Sequence, residues 1–225
     1  MPEPGQRARI HRFSGAERTL HWLLAVTFFL MLGTGLALFV PRLAEVMARP
    51  VAKEWHVNAA LALAAGVVAL FAAHWPRLRA TMRDLDRFDR DDARWLFGWS
   101  RLWHRTPGAA QGRFNAGQKL NSALIGGLMV IEFVTGGLLL LGERNTSYRF
   151  AGTVIVHNWV TWILIALVIG HLYMAMVHRS TRHSMRGIVI GDVDRDWARR
   201  HHEKWVDADE AERSTAPARV PAAPK

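Results

Sequence analysis

Two histidines lie inside the apolar run 152–178, GTVIVHNWVTWILIALVIGHLYMAMVH, fourteen residues apart at His157 and His171. Fourteen residues make close to four helical turns, so on a helix both imidazoles leave one face, separated along the axis by about 21 Å. Ionisable groups inside a membrane are costly and normally face a partner within a bundle. The plainer reading is a pair of hydrogen-bonded core histidines, and it leaves the matched spacing unexplained. Two further histidines head apolar runs, His21 in TLHW and His56 in EWH. Sorted by depth, His56 falls level with His157 and His21 level with His171, with His74 a rival to His21 at its level. Each level then offers two imidazoles from two different helices.

Two protein ligands are too few for a closed zinc or copper site. A metal that arrives with its equatorial ligands already supplied needs only two axial ones, which describes haem b held without covalent attachment. The chain contains no cysteine, which excludes disulfides, Cys-ligated zinc, iron–sulfur clusters and c-type haem attachment. With both axial positions filled there is no open site for oxygen or substrate chemistry. Electron transfer across a bilayer is the implied task.

The elements that position these residues are four apolar runs in a 225-residue chain that is half hydrophobic. Mean hydropathy is near zero only because the charges are segregated between the runs. Spans of about 19–40, 54–75, 118–141 and 152–178 are long enough to cross a membrane. The fold class read from them is an all-α transmembrane four-helix bundle. The first run is too long for a signal peptide and lacks a clear cleavage site, so it reads as an uncleaved span. The net charge of +10 follows the loops and does not mark a nucleic-acid-binding domain. Lys plus Arg number four before the first span, ten between the second and third (with Lys119) and seven in 179–204, against three and two in the other loops. The positive-inside rule therefore places both termini in the cytoplasm.

Residues 1–18 read as a polar tail, and Pro76 reads as a stop just beyond the second span. Trp95, Trp99 and Trp103 recur every four residues among arginines, the pattern of an amphipathic helix at headgroup level. Residues 179–206 read as a basic segment lying on the membrane or a neighbouring subunit, and 207–225 as disordered. No internal repeat is read beyond the Gly-rich patches of the first and third spans. Gly35, fourteen residues from His21, lets something bulky approach the backbone, or else serves helix–helix contact. Glu132 is an acid deep in the third span that should face the bundle or a subunit partner. Asn115 and Gln118 form an Asn variant of the capping box.

These features resemble one family over most of the chain, from Phe13 to about Trp205: the cytochrome b (gamma) subunit of membrane-bound respiratory formate dehydrogenases. The resemblance rests on His21-Trp22, on His56, and on FNAGQKL at Phe114 to Leu120. It continues through Val134-Thr135-Gly136, His157, and His171-Leu172-Tyr173-Met174-Ala175 to Arg195-Asp196-Trp197-Ala198-Arg199-Arg200-His201-His202. NAGQK and the tail are its specific parts. It implies two b haems, His56 with His157 and His21 with His171, and prefers His21 over His74. Gly35 and Gly136 are then expected beside the haems. It implies a quinone, ubiquinone or menaquinone, reduced near the cytoplasmic haem among Asn115, Gly117, Gln118, Lys119 and His171. The donors there would be Asn115, Gln118 and Lys119, with Gly117 leaving room for the ring. A lysine at a helix start opposes the helix dipole, so Lys119 calls for an anionic neighbour, a haem propionate or the reduced quinone.

The implied partners are an iron–sulfur (beta) subunit and a molybdenum or tungsten catalytic (alpha) subunit, in a complex that admits a higher oligomer. The implied place is the bacterial inner membrane. Substrate oxidation would reside in the partner. Val57 stands where the family is expected to have proline, and Glu132 where it is expected to have an apolar residue. The same architecture serving a nickel–iron hydrogenase or thiosulfate reductase is the nearest alternative. A haem-free transporter or assembly protein with a histidine proton relay is the more distant one.

Overall fold

The computed structural model describes residues 9–98 and 109–215. Its long helices are α1 (Gly15–Phe39), α2 (Arg49–Asp86), α4 (Ala116–Arg144) and α5 (Thr153–Leu172). All four are long and apolar enough to cross a membrane. Their outward faces remain apolar and exposed, with Val26, Val68, Val130 and Ile169 all more than 60% accessible. A surface of that kind suits lipid and not water. Short elements complete the chain: β1 (Arg9–His11), α3 (Arg90–Phe97), α6 (Met185–Ile190), β2 (Asp192–Asp194), α7 (Arg195–His201) and α8 (Glu203–Thr215).

Several sequence expectations are corrected. Helix α2 does not stop at Pro76. It bends at His74, whose backbone leaves helical geometry (φ −128°, ψ 28°), and continues to Asp86. Proline removes one backbone donor and crowds the preceding turn, which bends a helix without ending it when the flanking residues favour helix. After α5 the chain makes a π-helical turn over Tyr173–Val177 in place of regular helix, with His178 N–H donating to the Tyr173 carbonyl at 2.9 Å. Trp95 lies in the short helix α3, while Trp99 and Trp103 fall outside the described residues.

The disorder expected from Asp207 does not hold over the described part of the tail. Residues Glu203–Thr215 form α8. Asp207, Asp209 and Glu210 pair with Arg199 and Arg195 of α7, and Val206 is fully buried. The basic segment likewise packs on its own chain. Strands β1 and β2 pair antiparallel, with Ile10 opposite Val193. Ile10, Val193, Trp197, Ala198 and Val206 form a small core, with Trp205 packed against it. Gly191 holds the turn before β2 at φ +102°, a left-handed conformation, and a Cβ there would stand 3.0 Å from the Phe13 carbonyl oxygen.

The fold also contains a repeat that the sequence reading missed. Arg12 and Arg113 lie 101 positions apart, and at that same offset the chain pairs Phe13 with Phe114, Ser14 with Asn115, Glu17 with Gln118, Thr34 with Thr135, Gly35 with Gly136 and His56 with His157. The hairpin α1–α2 and the hairpin α4–α5 are thus two copies of one unit. Both begin with a capping box, Ser14 with Glu17 and Asn115 with Gln118. The contacts between them are reciprocal. Phe13 meets Phe114 at 5.9 Å between ring centres, Arg12 reaches Gln118 Oε1 at 3.3 Å, and Arg113 pairs with Glu17.

Arg12 is almost fully buried between Phe13, Trp197 and Trp205, and donates to the Arg113 carbonyl and to His202 Nε2. Burial, with the charge of Arg113 beside it, lowers its pKa to about 9. His202 donates from Nδ1 to the Gly112 carbonyl at 2.7 Å. Burial, then Arg12, depress its pKa to about 2, against the opposing pull of that carbonyl. An unfolded histidine titrates near 6.5, so below that pH the undocked chain binds a proton the docked one refuses. Stability from this group is complete above about pH 6.5 and falls as pH drops towards 2, by roughly 1.4 kcal/mol at one unit below 6.5. The opening constant for hydrogen exchange across 195–206, after correction for the intrinsic amide rate at each pH, should rise between pH 6.5 and 4.5, and His202→Gln should flatten that rise. An equally steep rise in the variant would rule His202 out as its source.

Candidate functional site

At the end of the bundle away from the termini, His56 of α2 and His157 of α5 face each other with ring centres 6.3 Å apart. His56 Nδ1 lies 2.9 Å from the Met31 carbonyl and 3.2 Å from Thr34 Oγ1. A carbonyl can only accept, so Nδ1 carries the proton and Nε2 keeps its lone pair. His157 repeats the arrangement from the second hairpin, with Nδ1 at 2.9 Å from Thr135 Oγ1. Both threonine hydroxyls use their single proton one turn back, on the Leu30 and Ile131 carbonyls, so each accepts from the ring. Glycine follows each threonine for a steric reason. A Cβ at Gly35 would stand 3.3 Å from His56 Cε1, and one at Gly136 would stand 3.4 Å from His157 Cε1. Thr-Gly on one helix and His on the next form a cradle, made twice.

Nearer the termini, His21 of α1 and His171 of α5 face each other at 6.2 Å between ring centres. His74, the rival at this level, is exposed at the bend of α2. On α5, His157 and His171 lie on one face, so the two pairs are stacked along the bundle by about 21 Å.

Two imidazoles sharing one iron at about 2.0 Å from each coordinating nitrogen, with each ring centre about 1.1 Å further back, stand about 6.2 Å apart centre to centre. Both observed pairs have that spacing. The His56–His157 pair borders a cavity of about 1150 Å³, also lined by Gly35, Gly136, Phe28, Leu164, Arg49 and Lys53. It is mostly apolar with cations at its outer rim, which suits a flat macrocycle carrying two carboxylates. The residues present fit haem b.

A family model described as prokaryotic cytochrome b561 matches residues 12–191. The chain belongs to that family. Among curated relatives it is similar to the formate dehydrogenase cytochrome b556 subunit of Haemophilus influenzae, 28% identical with 88% of this chain and 82% of the relative covered. Two Escherichia coli proteins are also similar. The cytochrome b556(fdo) subunit is 26% identical over 89% of this chain and 93% of its own length. The nitrate-inducible cytochrome b556(Fdn) subunit is 24% identical over 84% and 86%. The resemblance drawn from His21-Trp22, FNAGQKL and the basic tail is therefore upheld, and the protein is a cytochrome of the prokaryotic b561 family that is similar to formate dehydrogenase cytochrome b556 subunits.

In this cytochrome the NAGQK stretch is busier than its sequence suggested. Asn115 Oδ1 accepts from Gln118 N at 2.9 Å and Gln118 Oε1 accepts from Asn115 N at 3.0 Å, which completes the cap of α4. Lys119 is buried, and its anionic neighbour is Asp92 of α3, at 2.6 Å, with the Arg87 carbonyl at 2.7 Å. That replaces the haem propionate or reduced quinone expected from the sequence. Gly117 is covered by Trp95, whose ring atoms would stand 3.0 and 3.2 Å from a Cβ there, so the space expected for a quinone ring holds an indole. Among the described residues of this stretch, neither the Asn115 nor the Gln118 side-chain amide nitrogen has a hydrogen-bond partner, whereas both amide oxygens are taken up by the cap. Asp92 was not legible as a partner because it lies 27 residues from Lys119 in an Asp/Arg-rich loop with no periodicity. The one available signal was its place in a second box, Asp89 with Asp92, at the start of α3.

Proposed function

We propose that this cytochrome is the di-haem b membrane subunit of a respiratory formate dehydrogenase. It would carry electrons from an extracytoplasmic iron–sulfur partner to quinone near the cytoplasmic side of the bacterial inner membrane. The observation that carries this reading is the pair of stacked His–His sites, each with the ring separation that one iron requires. His56 and His157 would hold the outer haem, with Gly35 and Gly136 leaving space for it. His21 and His171 would hold the inner one. Haem supplies one-electron chemistry when bound. The chain's own part is to hold the four imidazoles, two of them through Nδ1 contacts at His56 and His157, to present Arg49 to carboxylates at the outer rim, where Lys53 is already paired with Glu143, and to keep water from the interior with apolar helix faces. The substrate is oxidised in the catalytic partner.

Quinone would meet this cytochrome at the Gln118 amide nitrogen, at the start of α4, where the helix N-terminus favours negative charge developing on a quinone oxygen, and at His171 in the last turn of α5. Asn115, Gly117 and Lys119 support this place from behind, through the cap, Trp95 and Asp92.

The purified chain should show a reduced b-type alpha band and two haems. Gln118→Leu, with two haems still bound and reduced by the dehydrogenase, should slow reoxidation by quinone at least about tenfold, the equivalent of roughly 1.4 kcal/mol of barrier. Wild-type reoxidation would leave Gln118 as a cap alone. The excess of basic residues, seventeen in the middle loop and tail against five in the outer loops, supports a cytoplasmic C-terminus. A C-terminal reporter active only in the periplasm would reverse the direction of flow.

A further inference from the structure

The two histidines of the outer site are held by different acceptors, and the difference falls at one position of the repeat. Met31 and Glu132 occupy equivalent places in the two hairpins, each three residues before the threonine of the cradle. In the first hairpin the acceptor for His56 is the neutral Met31 backbone carbonyl. In the second, the Glu132 carboxyl lies against His157, with Oε2 2.5 Å from Nδ1. Thr161 Oγ1 donates to Oε1 at 2.9 Å and fixes the group in that orientation. The approach of Oε2 is not aligned as a hydrogen bond, since Nδ1 is aimed at Thr135 Oγ1, and Oε2 is buried with no aligned partner. An acidic side chain is thus held inside an apolar bundle, beside one proposed axial ligand and absent beside the other.

We propose that Glu132 is a positioning residue that sets the reduction potential of the outer haem. A carboxyl oxygen held 2.5 Å from His157 Nδ1 polarises that ring towards Nε2 and places its electron density near the iron, both electrostatic effects that need no aligned hydrogen bond. Both effects stabilise the oxidised state, so the outer haem takes a lower potential than the carbonyl partner of the first hairpin alone would give it. The functional result is direction. An electron entering at the outer haem finds the next step inward favoured. This inference rests on the assignment of His56 and His157 as one haem's ligands.

The test is a redox titration of the purified full-length cytochrome, following the alpha bands of both haems, for wild type, Glu132→Gln and Glu132→Met. Methionine restores the residue the first hairpin carries and is apolar, so it suits the membrane interior whether or not glutamine is tolerated. The outer haem should shift towards reduction by about tenfold in its oxidised-to-reduced equilibrium in both variants, about 59 mV for one electron, while the inner haem stays in place. An unmoved or lowered outer potential, an equal shift of both haems, or loss of the outer haem from both variants would overturn the proposal. If the wild-type chain itself lacks two b haems, the ligand assignment fails instead.

Discussion

His157→Ala is expected to yield a folded cytochrome that retains one haem, the inner one, and His171→Ala one that retains mainly the outer haem. His178→Ala, at the end of the π-helical turn, should keep both. The expectation follows from geometry, since each pair draws one ring from α5 and one from a different helix, and the two pairs lie about 21 Å apart on α5. Loss of one imidazole would leave that iron a single protein ligand, and a non-covalent haem would then be held only by apolar packing and the contacts of its carboxylates. Haem stoichiometry by pyridine extraction on the purified variants reads the result. Two haems in both α5 variants would make the ligand assignment wrong.

Lys119→Met is expected to cost about 3–5 kcal/mol of stability, because it strands the Asp92 carboxylate inside the protein without its cation. Adding Asp92→Asn should recover most of that loss, since asparagine can still accept from Asp89 N–H in the cap of α3 and carries no charge. Thermal unfolding in detergent of the single and double variants measures both. If Lys119→Met unfolds like wild type, the buried pair is not what holds α3 to α4. If the double variant is as unstable as the single one, lysine serves more than Asp92. The double variant also separates structure from electron transfer. With α3 restored and haems bound, its reoxidation by quinone should be close to wild type, because on this structure Lys119 contacts protein and not substrate.

What the sequence made legible was whatever obeys helical period and depth. Depth along apolar helices paired His56 with His157 and left His74 a rival to His21 beside His171, which the family resemblance decided; the structure brings His56 to His157 and His21 to His171. Gly35 was legible as a close-approach position, but the approaching group, the His56 ring, was not, because a glycine states only that space is needed. Glu132 was visible as an anomaly and acquired a partner only once α5 was packed against α4. The NAGQK stretch was misjudged where its partners lie far off in sequence: Lys119 with Asp92, Gly117 with Trp95. Composition misled at α8, where alanine and acidic residues suggested disorder. Their order instead puts Asp209 one turn from Arg213 and opposite Arg195, and buries Val206. The 101-residue repeat escaped notice because its matching positions are few and separated by divergent lipid-facing residues, for which any apolar side chain serves.

The near-two-fold relation between the hairpins limits the order in which a protein of this kind can be assembled from simpler ancestors. One hairpin associated with a copy of itself about an axis between the Phe13-type rings would supply Thr-Gly and His from both chains, and so a complete outer cradle. It would not supply the inner pair, because the positions equivalent to His21 and His171 are Ser122 and Leu70. The outer site is therefore within reach of a homodimer of half-length chains. The inner site exists only after the halves are fused and free to differ. The halves differ likewise at Glu17 and Gln118, so that Arg113 meets a carboxylate where Arg12 meets an amide, and at Met31 and Glu132. On the haem assignment proposed above, a symmetric pair of hairpins would hold one haem at the outer cradle; the second site depends on the positions where the halves differ.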